Sequence, residues 1–256
     1  MRPYPGVSLT TSRTSRLWIS REEWSPVKRP KLWFAALGLT FFGCAGTGQA
    51  THPPAKPSYE LVRVVCREGP SYQRARALAD DAMPMLDEML ENPYYSPCWA
   101  ATATTIDFMG HPDGFPVLRR FLLDRFRGEI DDQTFNAMFS TIVYMGILAA
   151  RSDSAFQFLV NGTNPNFWTK IRWTNKNHKG RYLQLLWSEL TINSLSMTGR
   201  PEVIAILDRL AKAPYDESQL ANIKQGFQTH EEVTSVGFEE YFQRHYGLGR
   251  PSDVSP

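Results

Sequence analysis

Five cations, with aromatic rings interleaved among them, crowd one acid-free stretch of this 256-residue chain. Between Ser154 and Ser188 there is no Asp or Glu, yet Lys170, Arg172, Lys176, Lys179 and Arg181 fall there, interleaved with Phe167, Trp168, Trp173, His178 and Tyr182. Ammonium and guanidinium groups attract anions, and aromatic faces stack on rings or hold cations. Asn161, Asn164, Asn166, Asn175 and Asn177 add amides that both donate and accept hydrogen bonds. The ten cations and rings are therefore the candidate binding residues, suited to a glycan, a phosphate-bearing polymer or an acidic patch on a protein. A competing reading makes Trp168, Ile171 and Trp173 anchors that fasten a long loop to the core, with the charges merely solvated.

Signatures of catalysis are thin. The five histidines (His52, His111, His178, His230 and His245) show no HExxH spacing, and no CxxC occurs, so neither a metal nor a cofactor is expected. GxSxG, P-loop and GxGxxG patterns are absent as well. Ser25 to Lys28 forms an SxxK, but without the partner motifs that acyl-serine enzymes require. Asp107, His111 and Asp113 flank Gly110, where capping of helix ends explains them as well as acid/base work does. His230 precedes Glu231 and Glu232 in a polar stretch that reads as a solvated charge run. No catalytic residue is assigned.

The chain's compartment follows from "VKRPKLWFAALGLTFFGCAGTGQA", residues 27 to 50. Lys28, Arg29 and Lys31 precede an uncharged run from Leu32 to Gly43, and small residues follow, which is the order of a secretory signal. The run is too short for a spanning helix, which needs roughly 20 apolar residues. "FFGC" resembles the lipobox of bacterial lipoproteins, although Phe41 stands where an aliphatic residue is usual. That resemblance implies lipidation at Cys44 and a membrane anchor through the N-terminal lipid. The alternative is ordinary cleavage after Ala50, with small residues one and three places before the cut. Residues 1 to 27 show no apolar periodicity and are expected to be a mis-assigned start, with Val27 as an alternative initiation site, or a disordered extension.

Removing the leader reverses the charge. The chain carries 28 Lys and Arg against 26 Asp and Glu, but residues 1 to 44 hold seven of the bases and two of the acids, leaving 21 against 24. A body with that balance lacks a nucleic-acid footprint, so nucleic acid leaves the list of partners. For an exported protein the remaining partners are another protein or an acidic polymer of the cell envelope. Cys66 and Cys98 could then pair in an oxidising compartment, or remain two buried thiols.

The elements that must position these residues are helical. In "SYQRARALADDAMPMLDEMLENP" the apolar residues share one stripe, and Pro84 is expected to kink or divide the helix. "YELVRVVC", Tyr59 to Cys66, is the one strand-like run, read as a short strand or extended tether within residues 51 to 70. Further on, "CWAATATTIDFMGHPDGFPVLRRFLLD" and "WSELTINSLSMTGRPEVIAILDRLAK" share a plan: a helix ends at glycine, proline follows two residues later, and a second helix begins. Aligned on Gly110 and Gly199, Ile106 matches Leu195, Phe115 matches Ile204, Leu118 matches Leu207 and Phe121 matches Leu210. "TFNAMFSTIVYMGILAARSDSAFQFLVN" is a looser copy that turns at Arg151 to Asp153.

Over residues 95 to 213 these copies resemble HEAT repeats, a family of stacked antiparallel helix pairs, although the spacing is less regular than the family's period of about 40 to 47 residues. The resemblance implies an all-α fold, an irregular α-solenoid of HEAT-like antiparallel helix pairs over residues 71 to 248. Its C-terminal helical cap carries Leu220, Ile223, Phe227, Phe238, Tyr241 and Phe242, and residues 249 to 256 form a flexible tail. An irregular all-α bundle is the alternative. The function expected is a non-catalytic binding or scaffolding module of the cell envelope; an envelope-polymer hydrolase with an acid/base site between helices is the alternative.

Overall fold

The computed structural model describes residues 58–213 and 217–246. The signal segment, Cys44 and the C-terminal tail lie outside the described residues, as do residues 1 to 57. Helix dominates what is described, which makes the fold all-α.

The Tyr59 to Cys66 run corrects its strand-like reading. It forms helix α1 (Tyr59–Arg63), started by Ser58 accepting from the Leu61 N–H at 3.1 Å, and continues as a π-helical turn over Val64–Glu68. Leu61 and Val65, four residues apart, are both buried. Preference for β structure depends on neighbours, and a strand here would have no partner, so the backbone satisfies its own polar groups by winding up.

The next stretch is two helices, α2 (Tyr72–Arg76) and α3 (Ala82–Glu91). The break precedes Pro84, which sits in the first turn of α3, where helix N–H groups have no partner within the helix and a missing one costs nothing. Proline here starts the helix; it does not bend it.

Two hairpins of the shared plan follow. Helix α4 (Trp99–Met109) ends at Gly110, with φ 61° and ψ 27°, and α5 (Gly114–Leu123) starts beyond it. The looser copy is α6 (Asp132–Ala149) and α7 (Asp153–Gly162), capped by Asp131 and Ser152. Helix α8 (Gly180–Ser196) leads to Gly199, φ 66°, and α9 (Glu202–Ala211). Left-handed backbone is cheap only for glycine: Gly110 caps α4 directly, whereas α8 ends at Ser196 with Met197 as its cap, and Gly199 turns the chain after Thr198. Of the four aligned pairs, three are buried in both copies; in the fourth, Phe115 packs edge-on against Phe158 while Ile204 stays 41% exposed. Helix α10 (Glu217–Val236) and α11 (Phe238–Tyr246) complete the described chain.

Helices α4, α6, α8 and α10 pack each on the next, α5 packs on both α4 and α6, and α7 on both α6 and α8. Helices α6 and α8 cross closely at Gly146, where a Cβ would stand 2.0 Å from the Ser194 carbonyl oxygen. The Gly146 N–H donates to Ser194 Oγ there at 2.7 Å. Helix α11 returns to the first helices, where Phe242 meets Tyr72 at 5.6 Å and the Tyr72 hydroxyl donates to Glu239 at 2.5 Å. A short parallel pair, β1 (Gly128–Ile130) and β2 (Trp173–Asn175), registers Gly128 with Trp173 and ties the basic segment to the chain before α6. Nothing in the alternation of residues marks either strand.

Candidate binding groove

Between α7 and α8 the basic segment first makes a 3₁₀ turn, Pro165–Lys170, started by Asn164 Oδ1 accepting from the Asn166 N–H at 2.9 Å. Trp168 and Trp173 are 2% and 1% exposed. They are anchors and not contact residues, which corrects their place in the binding set. The Trp168 indole donates to the Gly162 carbonyl at 2.7 Å and the Trp173 indole to Leu122 at 2.8 Å. Both acceptors lie in the last turn of an outer helix, where carbonyls lack intrahelical partners. Trp99 does the same for α3, through Met89 at 2.9 Å.

The cations divide into two groups. Lys176 pairs with Asp132 at 2.7 Å and Lys179 with Glu129 at 3.0 Å, both acids coming from the chain around β1, over forty residues earlier. Hydrogen bonds from Lys176 and then Asn175 hold the Asp132 carboxyl below the usual range. His178 stacks on Phe135 with ring centroids 4.4 Å apart, and its Nδ1 lies 3.3 Å from Asn175 Oδ1. Tyr182, 60% exposed, also stacks on that imidazole, at 5.6 Å. Asn175 is buried and donates to Asp132 at 2.9 Å. This half of the segment is closed on itself. Arg172 is exposed, and its carbonyl accepts from the Gly128 N–H.

The other group converges. Phe167, Lys170 and Arg181 line a groove of about 1120 Å³ bounded by the end of α7, the 3₁₀ turn and the starts of α8 and α10, with Arg209 and Leu210 joining it from the end of α9. Lys170 Nζ rests 4.3 Å from the Phe167 ring centroid, and Arg181 Nη1 donates to Asn166 Oδ1 at 3.1 Å. Among the described residues no carboxylate pairs with Lys170, Arg181 or Arg209. Asn161, Asn164 and Asn166 stand on the same wall, above a floor that includes Val160, Leu185 and Leu210. Sequence reasoning missed Arg209 and Gln219, because a cation on the polar side of an amphipathic helix carries no mark of which neighbour it will face.

The acid/base candidates do not assemble around this groove. Asp107 is fully buried within α4, neither carboxylate oxygen has a hydrogen-bond partner, and burial pushes its pKa well up. His111 lies 3.7 Å from Asp80 and 3.8 Å from Asp113, both highly exposed, and its Nδ1 accepts from the Asp113 N–H. His230 is buried on α10, and desolvation lowers its pKa. Cys66 and Cys98 form a disulfide, with Cα atoms 5.0 Å apart. Among the described residues no cluster of three or more His, Cys, Asp or Glu could hold a metal, and no helix is long and apolar enough to cross a membrane. No family model, curated protein or solved structure matches this chain.

Proposed function

We propose that this chain is an exported, non-catalytic binding module of the cell envelope, anchored by a lipid on Cys44, whose basic groove takes an acidic partner. The observation that carries the reading is the meeting of Lys170, Arg181 and Arg209 in one groove with no described carboxylate opposing them. Like charges gathered without counter-charges raise the local potential and favour an anion that supplies the missing partner. Two further observations support the setting. The Cys66–Cys98 disulfide suits an oxidising compartment. The order in which α4, α6, α8 and α10 pack, each hairpin on the next, supports an irregular α-solenoid of HEAT-like pairs, a scaffold that offers extended surfaces to partners. The hydrolase alternative has less support, since Asp107, His111 and His230 do not line the groove.

The test separates the anchor from the groove. Fatty-acid labelling is expected in the wild type and lost in Cys44→Ala. In that unanchored background the protein should co-sediment with isolated cell envelopes at low salt and come off as salt screens the charges. Adding Lys170→Ala, Arg181→Ala and Arg209→Ala should abolish co-sedimentation. Equal sedimentation with and without the three cations would overturn the groove as the contact site.

A further inference from the structure

We infer that the groove's ligand is a short acidic saccharide, of at least two or three rings, bearing carboxylate or phosphate. The inference rests on the reading of the groove as an anion site and adds the class of anion. Size comes first: about 1120 Å³ lies beyond the roughly 300–1,000 Å³ of pockets for a single small molecule, so several rings fit.

The lining then discriminates between kinds of anion. Arg181 and Arg209 carry planar forks that take carboxylate or phosphate in pairs of hydrogen bonds, and the Asn166 contact already aims the first. Lys170 adds a point charge parked on Phe167. Beside these cations the wall is amide: Asn161 and Asn164 are exposed and line the groove. A hydroxyl both donates and accepts, as an amide does, so a surface of amides complements a polyhydroxylated ligand. The apolar floor of Val160, Leu185 and Leu210 suits the C–H faces of sugar rings.

Two other acidic polymers fit less well. An extended peptide adds main-chain affinity by pairing with a free strand edge, and the walls of this groove are helices and a 3₁₀ turn, so an acidic peptide would have the cations alone to hold it and would leave the amide wall unused. A single nucleic-acid strand needs open aromatic platforms. Phe167 is the aromatic residue of the lining; its ring meets Phe158 and Trp168 edge-on at 5.3 and 5.2 Å, and Lys170 covers a face.

Calorimetric titration of the full chain with four probes tests this: trigalacturonate, a phosphorylated maltotriose, neutral maltotriose and hexaglutamate. One or both acidic sugars should bind at least tenfold more tightly than maltotriose and hexaglutamate; which of them binds identifies the anion as carboxylate or phosphate. Each of Lys170→Ala, Arg181→Ala and Arg209→Ala should weaken that binding about tenfold, the loss of one charge-assisted hydrogen bond. Arg244→Ala, whose side chain pairs with Glu240 within α11 and does not line the groove, should leave it unchanged and guards against general loss of charge. Hexaglutamate binding as tightly as the sugars would overturn the saccharide while sparing the anion site. Maltotriose binding as tightly would overturn the role of the charge, and no binding by any probe would overturn both readings.

Discussion

The crossing of α6 and α8 and the groove at the ends of α7 to α10 treat polar groups in opposite ways. In the crossing the chain closes on itself. Ser194 Oγ accepts from the Gly146 N–H at 2.7 Å. Elsewhere on the same two helices the Thr141 hydroxyl donates to the Ala137 carbonyl, Thr191 to Trp187 and Ser196 to Ile192, with Thr191 facing Gly162 of α7 and Ser196 facing Gly226 of α10, so small polar side chains can be buried where helices approach closely. In the groove, no described carboxylate pairs with Lys170, Arg181 or Arg209, and the three lie open. A polar group the chain satisfies is part of the scaffold, and one it leaves unsatisfied in reach of solvent is free for a ligand. That contrast can be broken from either side, and the core side should respond most.

Gly146→Ala is the sharpest cut. The new methyl would meet the Ser194 carbonyl, which is backbone and cannot rotate aside, so α6 and α8 must separate. A loss of about 3 kcal/mol is expected, the upper range for an overpacked core, read by urea unfolding followed through tryptophan fluorescence. A loss below about 1 kcal/mol would mean that the crossing is looser than its geometry implies.

Asp107 is one of the exceptions inside the core, as are Trp187 Nε1 and His230 Nδ1, and its pH dependence sharpens the comparison. Burial raises its folded-state pKa above an unfolded value near 3.9, so the folded protein prefers the neutral acid. The sign follows. The contribution to stability is fully present below about pH 4 and is lost as pH climbs through the folded pKa, at about 1.4 kcal/mol per pH unit between the two values. Asp107→Asn, which stays neutral, should match the wild type near pH 4 and become progressively more stable than it toward pH 7. Parallel stability curves for the two proteins would show that the carboxylate is charged and partnered after all.

What was legible in the sequence follows the same division. The Gly110 and Gly199 hairpins were readable because a left-handed glycine and an apolar stripe are written in consecutive residues. The burial of Trp168 and Trp173 was one of two readings, and only the carbonyls of Gly162 and Leu122 decide it. Tyr59 to Cys66 misled because residue preference for a strand says nothing about whether a partner strand exists. The pairing of Cys66 with Cys98 stayed open because spacing along the chain does not give spacing in space. Lys176 and Lys179 looked as available as Lys170; Glu129 and Asp132, which neutralise them, are brought near by β1 pairing with β2. Arg209 joined the groove for the same non-local reason.

The smallest effect expected is the most informative for the groove itself. Lys170, Arg181 and Arg209 are exposed, and what ties them to the fold is a cation–π contact and the Arg181 bonds to Asn166 and Gln184, at 3.1 and 3.4 Å. Each alanine substitution should therefore change stability by no more than about 0.5 kcal/mol, the usual range for surface positions. Removing all three could even stabilise the protein, because mutual repulsion across the groove disappears while no ion pair among the described residues is lost. Such a gain should shrink as salt is added and the charges are screened. A large loss of stability would place the three cations in the scaffold, alongside Lys176 and Lys179, and leave the groove without groups reserved for a ligand.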